Sequence, residues 1–224
     1  VGSGYIAVEF ASLLSKLGTE VSLLVRGDGL LKHFDKDLTK RLSARLQADG
    51  TNIEFNTDVT RISSNHEDLK VTTNRHSITT QCVISAIGRQ ANTSALNLKN
   101  TKVTVDKAGF INTSRSFTTD DPAISAVGDC LKTKALTPSA IAEAEHFISH
   151  HFKTRPVTDI AYHTIPSAIF TQPELASVGL TEETATEPID IYEAEFESLY
   201  DAFNPHNPKT YIKVITEQST GKVV

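Results

Sequence analysis

Val1-Gly2-Ser3-Gly4-Tyr5-Ile6-Ala7 opens the chain with the form G-x-G-x-x-A, and the fold turns on how these residues are read. In such a run the first glycine permits a tight turn, the second lets backbone approach a pyrophosphate, and a small third residue lets a helix pack close to a strand. Downstream, Ile6, Phe10, Leu13, Leu14 and Leu17 recur at helical spacing, Gly18 stops the helix, and residues 20–25 read as a buried strand. This is the second half of a βαβ unit whose first strand is represented by Val1 alone. An ordinary helix-opening turn is the plain alternative for the glycines, and the end of the following strand argues against it. NAD-binding units place an acidic residue there for the ribose hydroxyls, whereas NADP-binding units tend to place a cation for the 2′-phosphate. Here Val25 is followed by Arg26, with Lys32 and His33 beyond, so two cations can converge on one phosphate within a short loop. NADPH is therefore expected, with a solvated basic loop as the bland alternative.

From Asp35, a candidate N-cap, Leu38, Leu42 and Leu46 mark a second helix that Gly50 ends. Short alternating strands follow around Ile53, Val59, 69–73 and 77–81, and Cys82-Val83-Ile84-Ser85-Ala86 reads as a buried strand. The order predicts an α/β fold: a doubly wound Rossmann-type sheet with inserted antiparallel strands.

The bulk numbers fit one or two ordinary globular domains, with 224 residues and 39% hydrophobic content. A balance of 22 basic against 27 acidic residues, net charge -5, argues against a nucleic-acid partner. No apolar run approaches the roughly 20 residues that span a bilayer, and the start does not read as a signal peptide, so the expected location is the cytoplasm and no membrane partner is expected. Cys82 and Cys130 fit neither a redox dithiol nor a metal cluster and are expected to be buried free thiols; no metal is expected. The lack of any methionine, and a start that falls on the glycine turn, lead us to expect a piece of a larger gene product.

Five motifs in order resemble those of the pyridine nucleotide-disulfide oxidoreductases, and within them the glutathione reductase branch. They are the opening at 2–9, Ala86-Ile87-Gly88-Arg89 with Asn92, Ala126-Val127-Gly128-Asp129, Leu136-Thr137-Pro138 at a helix start, and Ile165-Pro166-Ser167-Ala168-Ile169-Phe170-Thr171-Gln172-Pro173 with Val178-Gly179-Leu180-Thr181-Glu182. The resemblance covers nearly the whole chain. It implies that Gly2, Ser3, Gly4, Ile6 and Gly88 line a dinucleotide, that Tyr5 covers the nicotinamide pocket, and that Glu9 lies beside the nicotinamide and pairs with a lysine outside this segment. It also implies that Arg26 and Lys32 hold the 2′-phosphate, that Asp129 hydrogen-bonds the ribityl chain of FAD, and that Thr137 sits at the flavin pyrimidine end, where the helix dipole favours negative charge. Ala135 and Ala168 fall where the family has nicotinamide-side contacts. For Tyr5, Glu9, Asp129 and Thr137 the plain alternatives are a sheet cap, an exposed helix carboxylate, a turn residue and an N-cap.

Two departures stand out. Glu145 occupies the helix position where the branch has an arginine that meets a substrate carboxylate, so a glutathione disulfide would be repelled there; either it is held elsewhere or the disulfide differs. Gly27 stands where a basic residue is common, and Lys32 where arginine is usual, which implies weaker 2′-phosphate selectivity because lysine lacks the bidentate fork. The implied whole-protein reaction passes hydride from NADPH to FAD and on to a cysteine pair, whose thiolate attacks a small-molecule or peptide disulfide while a histidine of a partner subunit protonates the leaving thiolate. The cysteine pair, the first flavin glycine motif and that histidine lie outside this sequence, so no complete catalytic set is expected here, and the segment alone is expected to be inactive. The domain expectation is 1–90 for nucleotide binding, 91–160 for the C-terminal part of an FAD domain, and 161–224 for the start of an α+β dimerisation domain, with a homodimer when full length. A mercuric reductase, a transhydrogenase, a dihydrolipoyl dehydrogenase and a non-catalytic nucleotide-binding remnant are the competing readings. Arg26 speaks against the dihydrolipoyl dehydrogenase, which normally prefers NAD.

Overall fold

The computed structural model describes residues 1–152, 158–199, 203 and 209–224. The glycine turn leads into helix α1 (Tyr5–Lys16), strand β1 (Ser22–Leu24), helix α2 (Lys36–Ala48) and strand β2 (Asn52–Glu54), with β1 and β2 paired in parallel. Val1 extends this layer. The Gly2 amide donates to the Leu24 carbonyl at 3.0 Å, and on the other side the Ala86 amide donates to the Val1 carbonyl at 2.9 Å. The short second helix is set by its own ends. Asp35 Oδ1 accepts the amides of Asp37 and Leu38 at 3.0 and 3.4 Å, and Gly50 leaves the helix at φ +100°. Leu42 and Leu46 then point into a core with Val8, Leu23, Val25 and Ile53. Each such side chain contributes about 1.5–3 kcal/mol on burial.

The inserted meander is β3 (Val59–Asn65), β4 (Asp68–Thr73) and β5 (Ser77–Thr80), antiparallel throughout, with a register irregularity between Val59 and Arg61. The expected α/β architecture with inserted antiparallel strands therefore holds. After it, a loop-rich region builds a second core from Val103, Ile111, Phe117, Ala126 and Leu131 and leads to helix α3 (Thr137–Phe152). The C-terminal part pairs β6 (Ser167–Ile169) with β7 (Leu175–Ser177), and β8 (Ile189–Glu197) with β9 (Lys209–Glu217), both antiparallel. Ile169 and Leu175 join the first core, so β6 and β7 are packed into it.

Three expectations change. Residues 82–86 form no strand, and Ile84 is exposed: the Ile84 carbonyl and the Ala86 amide bond to Val1 while the Cys82 carbonyl accepts the Thr80 hydroxyl, so no continuous ladder is made. Cys82, in this segment, is exposed rather than buried, and Cys130, in the turn 128–130, is only half-buried. Helix α1 forms where its periodicity predicts, but Phe10, Leu13 and Leu17 are exposed while Ala7, Val8, Ala11 and Ser12 are buried. A helix that is apolar on most sides gives periodicity no means of choosing its inner face, and the sheet accepts the small residues that allow close approach.

Candidate functional site

At the glycine turn, Gly2 sits at φ +134°, and a Cβ there would lie 2.3 Å from the Ala86 carbonyl oxygen. Only glycine fits. Gly4 caps α1 with no side-chain hydrogen bond, has open space where its Cβ would project, and is followed by a first turn without acidic residues. The uncapped amides and this bare cradle suit the pyrophosphate of a pyridine nucleotide. Gly88, at φ +144° with nothing near its missing Cβ, continues the strip of chain that begins at Ala86.

The cationic loop folds back on this turn. The Leu31 amide donates to the Ser3 carbonyl at 2.8 Å, and the Lys32 ammonium lies 3.7 Å from where a Gly27 Cβ would stand. Lys32 thus comes over the residue next to Arg26, and both side chains are exposed. A Cβ at position 27 would meet the end of the Lys32 side chain at ordinary contact distance. The loop is also strained, since Leu31 is buried with φ +49°.

On α1, Tyr5 and Glu9 lie one turn apart. Glu9 Oε1 accepts the Phe170 amide at 2.8 Å, and the Ser12 hydroxyl accepts the Gln172 amide at 3.1 Å. The chain after β6, which carries exposed Ala168, is therefore laced to the helix that carries Tyr5, with Ile6 half-buried beside it. Lys134 donates to the Ile165 carbonyl, which ties the loop bearing exposed Ala135 to the segment leading into β6.

The flavin-side candidates form a second group. Asp129 lies in the one-turn helix Gly128–Cys130, with Arg89 Nη2 at 3.8 Å from its Oδ2, so the third motif meets the second. Thr137 is exposed at the start of α3, whose first turn has no acidic residue. Asp129 stays largely exposed despite this pair, and exposed Thr137 opens a helix, so the two fit the hydroxyl-rich and anionic parts of FAD. Beneath them lies a carboxylate that sequence reasoning missed. Glu143 is fully buried, with Oε2 accepting the Gly128 amide at 2.6 Å and Oε1 accepting the Tyr162 hydroxyl at 2.8 Å. Burial first, and then the bond to Glu143, pushes the Tyr162 hydroxyl well above the usual tyrosine range. Glu143, Ser139 and His146 share one helical face and are all buried, whereas Ile141, Ile148 and Phe152 are exposed. Hydrophobic periodicity thus points to the wrong side of α3, and the helical spacing of 139, 143 and 146 was the available signal. Glu145, singled out as a possible substrate contact, is exposed on the same helix.

Cys130 donates its thiol to the Val127 carbonyl at 3.2 Å, and burial, helped by the charges of Glu143 and Asp129, raises its pKa. Such a thiol stays protonated and is a poor nucleophile. No helix among the described residues is long and apolar enough to cross a membrane.

A family model described as pyridine nucleotide-disulphide oxidoreductase matches residues 1–144, and that family's dimerisation-domain model matches 165–224. Over its whole length the chain is 32% identical to a glutathione reductase of Burkholderia cepacia and 30% identical to one of Nostoc sp. (strain PCC 7120), covering 51% and 52% of them. It spans about half the length of these curated relatives. Among solved structures, the HOCl-induced flavoprotein disulfide reductase RclA from Escherichia coli superposes with a TM-score of 0.90 at 23% identity, covering all of this chain and 52% of that one. LpdA from Mycobacterium tuberculosis gives 0.88 at 22%, covering all of this chain and 49% of that one. At such identities these two likenesses speak for the fold.

Proposed function

Because the chain belongs to the pyridine nucleotide-disulphide oxidoreductase family, we propose that it is the NADPH-facing part of an FAD-dependent disulfide reductase of the glutathione reductase type. Residues 1–90 would bind the nucleotide, 91–160 would complete the flavin domain, and 161–224 would begin the dimerisation domain of a homodimer. The observation that carries the nucleotide assignment is the loop at the end of β1, where Lys32 packs over Gly27 beside Arg26 and the loop itself bonds to the glycine turn. In this reading Gly2, Ser3 and Gly4 present backbone to the pyrophosphate, Arg26 and Lys32 hold the 2′-phosphate, and Gly88 flanks the dinucleotide. Tyr5, Ile6, Glu9, Ala135 and Ala168 surround the nicotinamide, while Asp129 and Thr137 orient the flavin. FAD, when bound, supplies the two-electron relay between nicotinamide and a dithiol. The chain's own part is to bind, orient and exclude water.

The test is nucleotide binding by the full-length gene product and its Arg26→Ala variant. Loss of one charged hydrogen-bonding partner of a phosphate should weaken NADPH by about 1.5–3 kcal/mol, roughly 10- to 150-fold, and leave NADH little changed. Equal weakening of both nucleotides, or none, would remove the assignment. Exposed Glu145 favours a disulfide other than glutathione's at the substrate side, since it puts negative charge where the branch places an arginine. Turnover with glutathione disulfide, compared with a disulfide lacking free carboxylates, separates the two readings.

A further inference from the structure

We propose that Lys213, on β9 in the C-terminal part of the chain, is a positioning residue for the loop that carries Arg26 and Lys32, so that NADPH selectivity depends on a residue remote from that loop in sequence. The inference rests on the NADPH assignment above for its functional readout, and on the geometry alone for its structural one.

The loop from 26 ends at Asp35, which does two jobs. It caps α2 through the amides of Asp37 and Leu38, and its two carboxylate oxygens accept from Lys213 Nζ at 3.0 and 3.2 Å. The same ammonium lies 2.5 Å from Asp37 Oδ2 and also donates to Glu182. The Lys213 side chain is only 4% exposed and that of Asp35 7%, so water screens this pair little, while Asp37 and Glu182 are 45% and 35% exposed. An ammonium has three donors, and here they meet three carboxylates. Burial works to lower its pKa, but the bonds to Asp37, Glu182 and Asp35 outweigh this and hold it well above the usual lysine value. Lys213 is therefore a permanent charge. Parallel ties run along the same seam: Arg41 pairs with Glu195 at 2.8 Å and lies over the Tyr211 ring, and Lys36 pairs with Glu183 at 3.3 Å.

A strained loop needs firm ends. Leu31 adopts left-handed backbone, an arrangement that persists only where its surroundings over-determine it. On the upstream side the restraint is the Ser3 carbonyl and burial of Leu31 in the core. On the downstream side the Phe34 amide bonds to the Leu31 carbonyl at 2.8 Å, and beyond it stands Asp35, paired with Lys213. If Lys213 is lost, Asp35 retains its cap bonds but not its fixed direction, and Lys32, which reaches back over Gly27, loses its footing.

The experiment compares Lys213→Met and Lys213→Arg with the parent in the full-length flavoprotein. NADPH and NADH dissociation constants and the amide hydrogen exchange of residues 27–34 are measured without nucleotide and with it. The expected result for Lys213→Met is about tenfold weaker NADPH, NADH within about twofold, and faster exchange across 27–34, with Lys213→Arg restoring most of each. Equal weakening of both nucleotides with loss of flavin would show a general structural role and overturn the proposal. Unchanged exchange across 27–34 would overturn it as well. If the parent shows no NADPH preference, the nucleotide assignment fails, and the exchange result decides the Lys213 proposal by itself.

Discussion

At the scale of single residues, Glu143 shows how much a buried polar group can hold in place. Its two oxygens satisfy the Gly128 amide, at a position with φ +80° just before Asp129, and the Tyr162 hydroxyl just before the C-terminal part. Tyr162→Phe leaves one carboxylate oxygen without that donor and should cost about 1–3 kcal/mol. Glu143→Leu strands both donors and should cost more, while Glu143→Gln can accept from Gly128 and donate to Tyr162 and should fall between them. Urea denaturation of the three variants checks this order; a Leu variant as stable as the Gln variant would contradict it. Gly2 teaches the complementary lesson. Its need for glycine comes from a carbonyl at Ala86, remote in sequence, as well as from its own backbone angle.

At the scale of elements, α2 is seated by Leu42 and Leu46 in the core and fixed at its start by Asp35. Asp35 acts as cap and as ion-pair partner, and two substitutions separate these roles. Asparagine caps as well as aspartate, so Asp35→Asn isolates the loss of charge opposite Lys213, whereas Asp35→Ala also removes the cap, worth about 1 kcal/mol. We expect Asp35→Ala to be less stable than Asp35→Asn by about that amount, read from the shift in denaturation midpoint at unchanged slope. Helices α1 and α3 share a different property. In both, large apolar side chains are exposed while small or polar ones are buried, so for each the helix is predictable and its orientation is not.

For the molecule as a whole, charge pairing predicts how stability varies with pH. Asp37 is held below its ordinary value of 3.8, first by its bond from Lys213; Asp49 is held below it too, its bonds from Lys16 and Arg45 outweighing burial. Both carboxyls bind protons more readily when unfolded, so their contribution is complete above pH 3.8 and is lost as the pH falls through their folded values. Lys213 has the opposite sign. Its folded pKa lies above the ordinary 10.5, so its contribution is complete below pH 10.5 and fades only in stronger alkali. Thermal unfolding of the full-length protein should show a plateau from about pH 5 to 10 and a steep fall below pH 4. Lys213→Met should flatten the part of the acid limb that comes from Asp37; an unaltered limb would show that the Lys213–Asp37 pair adds nothing to acid stability.

The sequence by itself determined the elements governed by local backbone physics. The cap at Asp35, the helix stops at Gly18 and Gly50, the alternation of β3 to β5 and the cations after β1 all depend on residues within a few positions of one another. Family motifs in order then identified what those elements belong to. Tertiary structure alone decided which side of α1 and α3 faces inward, that 82–86 forms no strand, and that Lys213 meets Asp35 across 178 positions. The physical reason is the same in each case. Burial and charge pairing are properties of neighbours in space, and a polar residue such as Glu143 or Lys213 reads as solvated until the partners that satisfy it are seen.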